Sequence, residues 1–393
     1  MKKSYLFILM SLSTLLINCG GEDMANIPQQ TGTQAVQKGK VSGKIMSQNG
    51  SKAIGGASVF TFDEKYKIYH TVSDADGNFN LEAPAGNRTI YIQTGNGSNF
   101  RTQITADIKA NDITQLNLTQ TKLTQVAKIG YIKGSYDKIE DIITTLGYTA
   151  TELTHADLAN MNTLAQYDIV FLNCGSRKYS QNSLTMPVVE NNLAIFVANG
   201  GSVYASDWDV SYLLGGGENT NNCNLAGGFV PDSKLCSKNL GNSGNLPATV
   251  NSTALSSALG FSTLNIDYDL GSWQKINTYD PAYWEVLVKS TATNEALMLR
   301  TNNFTATGLP NLPIGNASNL TFVPVCITLP NNIQITVSVP QATVPFLVAL
   351  GATVGACSGN AGSGSIYYTT FHNHASGNIG NAGIILQYVI LNL

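Results

Sequence analysis

Two apolar segments separated by a helical pattern constrain the fold of this chain most strongly. Residues 167–175 (YDIVFLNCG) and 202–208 (SVYASDW) are nearly continuous runs of apolar and small side chains. Such runs are typical of strands in parallel sheets, which helices cover on both faces. Between them, residues 186–201 have a helical pattern that ends at two glycines, a common signal for the end of a helix. The order strand, helix, strand predicts an open α/β sheet with right-handed crossovers.

Neighbouring segments extend the same pattern. Apolar residues recur at helical spacing in residues 135–148 (SYDKIEDIITTLGY), which predicts a helix. Residues 381–393 (NAGIILQYVILNL) predict a packed helix or strand. Residues 214–355 are rich in Gly, Asn, Ser and Thr, which predicts a β-rich insertion into the α/β sheet. Further strands are predicted at residues 126–132, 149–154 and 364–376.

The segment 39–120 alternates between apolar and polar residues in short runs bounded by turn signals, which predicts an antiparallel sandwich. GKVSGKI, GGASV, TVSDADGNFNLEAPAG and TIYIQT within it resemble the carboxypeptidase regulatory-like family. This resemblance implies a small immunoglobulin-like sandwich with a structural or binding role. Residues 74–78 (DADGN) superficially match a calcium loop, but an EF-hand places its Gly later and needs a distant Glu, so a turn is favoured.

The N-terminus has the pattern of an export signal. Lys2 and Lys3 precede the apolar run 5–17, which is too short to span a bilayer comfortably. The segment Leu16-Ile17-Asn18-Cys19 resembles a bacterial lipobox, in which the Cys is lipidated and becomes the first mature residue. We therefore expect a signal peptide over 1–18, lipidation of Cys19 and a flexible tether over 19–38. The membrane would be a partner through that anchor, and the alternative is an ordinary secreted protein.

Charge and cysteine content limit the function classes further. Charged residues make up 12% of the chain and the net charge is −3, with no basic stripe, so a nucleic-acid partner is not expected. Export permits disulfides, which predicts the neighbouring pairs Cys223–Cys236 and Cys326–Cys357. Cys174 remains without a predicted partner. The chain contains neither a C-x-x-C motif nor a closely spaced Cys/His quartet, and no metal or cofactor is expected.

Residues 126–213 and 364–378 resemble the class I glutamine amidotransferase-like fold, a flavodoxin-like doubly wound sheet. YDIVFLNCG takes the place of the strand near the oxyanion hole, GGSVYASDW that of the nucleophile elbow, and TFHNH that of the segment with the catalytic His. The resemblance implies Ser206 as nucleophile, His372 as base and His374 as the third member. The implied ligand cleft contains Cys174, Gly175, Asp207 and Trp208.

The residues around these positions argue against hydrolysis. A nucleophile elbow requires small neighbours two residues on either side, whereas Ser206 has Tyr204 and Trp208 there. A second imidazole orients a catalytic His poorly. Two other hypotheses remain open. In the first, His372 and His374 bind a metal together with Asp207 or Asp209. In the second, Cys174 is a reactive thiol in the cleft, whereas the commoner case is a buried, unreactive cysteine.

These patterns predict a multidomain chain: an all-β immunoglobulin-like sandwich (39–120) and an α/β doubly wound domain (125–393) with its insertion at about 214–355. The expected function is that of an exported, lipid-anchored protein of the bacterial cell envelope that binds a carbohydrate, peptide or host-surface ligand without catalysis. One alternative is an amidase- or esterase-like hydrolase that uses Ser206 and His372. Another is a purely architectural envelope lipoprotein.

Overall fold

The computed structural model describes residues 36–176, 186–215, 223, 228–305, 308–315, 321–358, 363–373 and 382–393. The expected signal peptide and the lipidation site Cys19 lie outside these residues. In the part of the chain that the structure describes, no helix is both long enough and apolar enough to cross a membrane.

Seven strands at the start of the described chain form two sheets. One sheet has the order β4-β1-β7 and the other has the order β3-β2-β5-β6. The strands are β1 (Lys38–Lys44), β2 (Ser58–Phe62), β3 (Ile68–Val72), β4 (Asn78–Pro84), β5 (Gly86–Gln93), β6 (Arg101–Ile108) and β7 (Ile113–Gln115).

The alternating sequence pattern of these strands places their apolar side chains between the two sheets. Val41, Leu81 and Ile92 are at most 1% exposed. The pairing differs from the predicted antiparallel sandwich in one place, because β7 pairs parallel with β1. The chain crosses to the opposite sheet after β6, so this short edge strand arrives with the same direction as its neighbour. Residues 74–78 form a turn in which Asp74 accepts the backbone N–H of Asn78 at 2.8 Å.

Five parallel strands follow the predicted strand–helix pattern. They are β8 (Ile129–Ile132), β9 (Ala150–Leu153), β10 (Ile169–Leu172), β11 (Ser202–Ser206) and, much later in the chain, β21 (Ile366–Thr369). The helices that accompany them are α1 (Ile139–Thr145), α2 (His155–Ala159), α3 (Met161–Leu164), α4 (Met186–Ala198), α5 (Val210–Leu214) and α8 (Ala382–Asn392). The ambiguous apolar segment 381–393 is therefore helical over the residues described.

The predicted insertion continues the same sheet instead of interrupting it. Its antiparallel strands are β13 (Leu240–Val250), β14 (Thr263–Gln274), β16 (Glu285–Ser290) and β17 (Ala296–Thr301), and α6 (Thr253–Leu259) joins the first two. The sheet has nine strands in the order β14-β13-β16-β17-β21-β11-β10-β8-β9. The sheet is thus mixed, because the strands of the predicted β-rich insertion add an antiparallel half to the predicted α/β sheet. The parallel half ends at β21, whose other neighbour, β17, runs antiparallel to it.

Both faces of the parallel half are covered, which explains its unbroken apolar strands. Phe171, Tyr204 and Tyr367 point into the apolar cluster that contains α1 and α8. Val170 and Val203, which alternate with them, point into the cluster that contains α4 and α5. A strand buried on both sides has no polar face, so the period-two signal of a half-exposed strand is lost.

Smaller elements complete the insertion. A two-stranded sheet consists of β12 (Leu235–Cys236) and β15 (Thr278–Tyr279). A three-stranded sheet consists of β18 (Phe322–Thr328), β19 (Gln334–Pro340) and β20 (Thr353–Val354), and α7 (Val344–Ala349) lies between β19 and β20 in the chain. The buried side chain of Gln93 attaches β19 to the sandwich, since it donates to Thr336 O at 3.0 Å and accepts from Ser338 N at 2.9 Å.

The two disulfides confirm the predicted pairing. Cys223 is bonded to Cys236, and Cys326 is bonded to Cys357. Cys174 carries a free, buried thiol. Two disulfides fit a protein of an oxidising, extracytoplasmic compartment.

His70 on β3 makes the stability of the protein depend on pH. Burial lowers the pKa of its imidazole from 6.5 to about 4. Between these two values the unfolded chain binds one more proton than the folded chain. The contribution of the neutral His70 side chain to the free energy of unfolding is therefore complete above pH 6.5 and is lost as the pH falls towards 4. We expect the free energy of unfolding to drop by up to about 3 kcal/mol across this window. Guanidinium unfolding at several pH values should give a flatter profile for His70→Gln, and identical profiles would contradict the assignment.

Candidate functional site at the carboxyl edge of the sheet

Three neighbouring strands bring the predicted site residues together. Cys174 follows β10, Ser206 ends β11, and His372 follows β21, so all three lie at the carboxyl edge where parallel strands end side by side. Cys174, Ser206 and Asp207 are fully buried, and His372 is 3% exposed. The three side chains thus lie at one edge of the sheet, where they are enclosed and do not line an open cleft. His374 lies outside the described residues.

The strained strand-to-helix turn is at Asp207, one residue after the predicted position. Asp207 has φ +46°, in the left-handed region that non-glycine residues rarely adopt. Ser206 still has extended backbone angles and pairs with Thr369 of β21. The residues two positions from the turn are thus Ala205 and Asp209, not the bulky Tyr204 and Trp208. The residue at this positive-φ turn is therefore a carboxylate and not the predicted hydroxyl.

The hydroxyl group of Ser206 joins three segments of the chain. It donates to Asp137 Oδ2 at 2.6 Å and accepts the backbone N–H of Cys174 at 2.9 Å. Asp137 Oδ1 also accepts the backbone N–H of Asn373 at 3.0 Å. The single hydroxyl proton of Ser206 therefore points to Asp137 and not to His372. Burial raises the pKa of Asp137 to about 7, although these hydrogen bonds act in the opposite direction.

Both carboxylate oxygens of Asp207 have neighbours. Oδ1 accepts the backbone N–H of Gln274, the last residue of β14, at 2.7 Å. Oδ2 lies 3.7 Å from Cys174 Sγ and 3.6 Å from His372 Nδ1. Burial raises the pKa of Asp207 well above its usual value, and burial together with the charge of Asp207 raises the pKa of the Cys174 thiol. With such a pKa, Cys174 is a neutral thiol and not a reactive thiolate.

A second polar row lies beside this cluster. The hydroxyl of Ser176 donates to Asp209 and lies 3.2 Å from the hydroxyl of Tyr212. That hydroxyl is 2.6 Å from Nε2 of His155, the first residue of α2. The sequence did not single out Asp137, Ser176 or His155. A weak signal existed for Asp137 and Ser176, because each follows a predicted strand at its carboxyl end, where site residues of α/β sheets gather.

The other expected cleft residues are also enclosed. Gly175 is buried and has φ +81°, which favours glycine. A Cβ there would lie 2.8 Å from the Tyr136 ring. Trp208 is 8% exposed. Trp273 and Trp284 are also buried.

Ser206→Ala is expected to lower the free energy of unfolding by about 1–3 kcal/mol, because it removes the hydroxyl that donates to Asp137 Oδ2 and accepts the Cys174 N–H. Ser211→Ala is the matched control. Within the described residues the buried Ser211 hydroxyl has no hydrogen-bond partner, so its removal should be neutral or stabilising. Urea titrations of both variants measure the difference. Equal stabilities would show that the Ser206 hydrogen bonds contribute nothing.

A separate cavity of about 150 Å³ lies between the sandwich and the three-stranded sheet. Arg101 lines it, with its guanidinium carbon 4.4 Å from the centre of the Phe322 ring. Arg101 Nη1 donates to the backbone oxygens of Gly97 and Ser98, at 3.0 and 2.9 Å. The walls contain aromatic, cationic and neutral polar side chains, namely Tyr91, Arg101, Thr102, Gln103, Phe322 and Ser338.

The chain is similar to several solved structures over part of its length. A ThuA-like protein from Bacteroides uniformis matches 44% of this chain and 75% of its own, at 9% identity and a TM-score of 0.29. A DUF3823 family protein from Parabacteroides merdae matches 24% of this chain and 49% of its own, at 18% identity and a TM-score of 0.19. A carbohydrate-binding protein from Bacteroides uniformis matches 25% of this chain and 46% of its own, at 10% identity and a TM-score of 0.18.

The chain thus spans about half the length of two of these three proteins. No protein-family model matches it, and no curated protein matches it. At these TM-scores none of the three assigns a fold or a function to this chain.

Proposed function

We propose that this chain is an exported, lipid-anchored protein of the bacterial cell envelope that binds a small acidic carbohydrate and does not catalyse a reaction. The single observation that carries the binding role is the guanidinium of Arg101 on the wall of the cavity. The export signal and the Cys19 anchor rest on the N-terminal sequence pattern, and the two disulfides support the compartment.

Arg101 sets the charge of the proposed ligand. It is half-buried, and burial lowers its pKa, yet an arginine remains protonated at neutral pH. It forms no ion pair with any residue that the structure describes. Its described hydrogen bonds, both from Nη1, go to neutral carbonyl oxygens. A carboxylate is the group that a planar guanidinium binds best, through two parallel hydrogen bonds.

The volume of the cavity limits the size of the proposed ligand, and the side chains of its walls indicate which groups the ligand carries. Sites for drug-sized molecules occupy about 300–1,000 Å³. A cavity of about 150 Å³ fits a single ring with its substituents. The aromatic side chains of Tyr91 and Phe322 offer apolar contact to the ring carbons, while Thr102, Gln103 and Ser338 offer polar groups to hydroxyls. A uronic acid combines these features.

Calorimetric titration with glucuronate and galacturonate, beside glucose and galactose, tests the proposal. We expect binding of the acidic sugars only, with at least a roughly tenfold loss of affinity in Arg101→Gln, because a buried hydrogen-bonded charge pair is removed. Arg88→Gln is the matched control, since Arg88 lies on β5 of the same sheet and pairs with Glu64. No binding of any acidic sugar, or equal affinity in the Arg101 and Arg88 variants, would overturn the assignment.

The hydrolase hypothesis makes a different prediction. A mechanism through Ser206 requires a hydroxyl proton that is available to His372, whereas Ser206 donates to Asp137. We expect no esterase, amidase or glycosidase turnover that disappears in Ser206→Ala. Turnover by the wild-type chain that is lost in folded Ser206→Ala and kept in Ser211→Ala would establish the hydrolase instead.

The anchor is tested separately in a bacterial host. Labelled palmitate should be incorporated into the wild-type chain and not into Cys19→Ser. Cys174→Ser is the control for a buried cysteine and should be labelled like the wild type. Label that persists in Cys19→Ser would contradict the lipoprotein assignment.

A further inference from the structure

The side chains of Cys174, Asp207 and His372 form a set of metal-ligating atoms that the proposed sugar binding does not use. Their ligand atoms all lie within 4.8 Å of one another, and all three residues are buried. They come from the ends of three adjacent strands, β10, β11 and β21, so the sheet itself holds them in place. This set differs from the His372–His374 pair that the sequence brought into consideration.

The separations match the coordination sphere of a small transition-metal ion. Zinc lies about 2.3 Å from a thiolate sulfur and about 2.0–2.2 Å from imidazole nitrogen or carboxylate oxygen. In a tetrahedron these bond lengths place neighbouring ligand atoms roughly 3.3–3.6 Å apart. The observed separations are 3.7 Å from Cys174 Sγ to Asp207 Oδ2 and 3.6 Å from His372 Nδ1 to the same oxygen. Both separations from Asp207 Oδ2 lie within a few tenths of an ångström of the tetrahedral values, and the third pair, Cys174 Sγ and the His372 ring nitrogen, lies within 4.8 Å.

We propose that Cys174, Asp207 and His372 bind a divalent transition-metal ion of the zinc class, which fastens the ends of the three strands together. One sulfur, one oxygen and one nitrogen ligand suit this class, whereas calcium and magnesium select oxygen ligands. Three protein ligands leave the fourth tetrahedral position for water or another group. Binding converts the neutral Cys174 thiol to a thiolate, and its proton leaves to solvent.

The charge balance around the site favours a cation. Asp137, Asp207 and Asp209 are each fully buried. Buried carboxylates require protons, partners or a metal to offset their desolvation. The backbone N–H of Gln274 on Asp207 Oδ1 leaves Oδ2 as the atom directed at Cys174 and His372, which is how an outer hydrogen bond orients a metal ligand.

The test uses the full chain, because the site is enclosed and a metal enters most readily while the chain folds. The protein is unfolded in guanidinium with a chelator and without reductant, so that both disulfides remain intact. It is then refolded with Zn²⁺, with Co²⁺ or with neither ion. We expect about one metal ion per chain after gel filtration, and a thiolate-to-cobalt charge-transfer band in the Co²⁺ form. Cys174→Ser and His372→Ala should each bind at least about tenfold more weakly.

Cys19→Ser and His70→Gln are the matched controls, and both should bind the metal like the wild type. A wild-type chain that refolds without retaining Zn²⁺ or Co²⁺ would overturn the proposal, and so would a cobalt–thiolate band that persists in Cys174→Ser. If a variant of a ligand residue does not fold, alkylation of the wild-type chain provides a second test. In the wild type, bound Zn²⁺ should slow alkylation of Cys174 under mild denaturation, and equal rates with and without the ion would count against the site.

Discussion

Asp207→Ala is expected to lower the free energy of unfolding by about 3–5 kcal/mol, because it removes one member of a buried polar group and leaves the others without compensation. The Gln274 N–H loses its acceptor, and His372 loses the carboxylate beside Nδ1. Alanine also tolerates the positive φ of this turn less well than aspartate does. The hydrogen bond between the carboxyl end of β14 and the turn after β11 would be lost.

Fluorescence during guanidinium unfolding reports this change locally, since Trp208 and Trp273 are buried next to Asp207 and Gln274 in the sequence. Asp207→Asn keeps an oxygen that accepts from Gln274, so we expect less than half of the loss. Asp76→Ala removes an exposed carboxylate and should change stability by less than about 0.5 kcal/mol. If Asp207→Ala were no less stable than Asp76→Ala, Asp207 would not be the attachment point of β14.

Replacement of Cys326 and Cys357 by serine is expected to cost about 3–4 kcal/mol, the second large effect. The disulfide closes a loop with a sequence separation of 31 residues, and its removal restores the entropy of that loop to the unfolded chain. The loop contains β19, whose residue Ser338 lines the cavity beside Phe322. The double variant should therefore also bind the acidic sugar more weakly.

The other disulfide provides the comparison. Cys223 and Cys236 are separated by 13 residues, so their replacement should cost slightly less, about 3 kcal/mol. It should also leave sugar binding unchanged, since this bond lies outside the cavity wall. Thermal unfolding without reductant measures both costs. A Cys326/Cys357 variant with wild-type stability would mean that β18 and β19 hold together without the bond.

The sequence predicted the parallel half of the sheet because its strands carry an unambiguous signal. The run Ile169–Leu172 is apolar without interruption, and only a strand covered on both faces needs that composition. The antiparallel half has no such signal. Leu240–Val250 contains two glycines, two asparagines and a proline, all residues depleted in strands. It is a strand because β14 and β16 pair with it, which is a tertiary effect.

The candidate site was predictable in position and not in detail. Ser206 and Asp207 are both small and polar, so the composition of the turn does not reveal which residue has the positive φ. The residue at which β11 ends determines which of the two has the positive φ. A shift of that end by one residue changes the group at the turn from a hydroxyl to a carboxylate. Asp137 is brought to Ser206 only by the order of strands, across 69 residues of sequence. Local patterns contain no information about such a contact.

The place of β21 between β11 and β17 has a consequence for how the protein assembles. All eight other strands of the sheet precede β21 in the chain, and the hydrogen bond from Ser365 to Ser202 spans 163 residues. Until β21 arrives, the parallel and antiparallel halves each have an open edge toward the missing strand. Such long-range closure is slow, and unpaired edges invite association with other chains. A chaperone that shields β11 and β17 would therefore act on this protein at one defined stage, after the insertion has formed and before the central strand is in place.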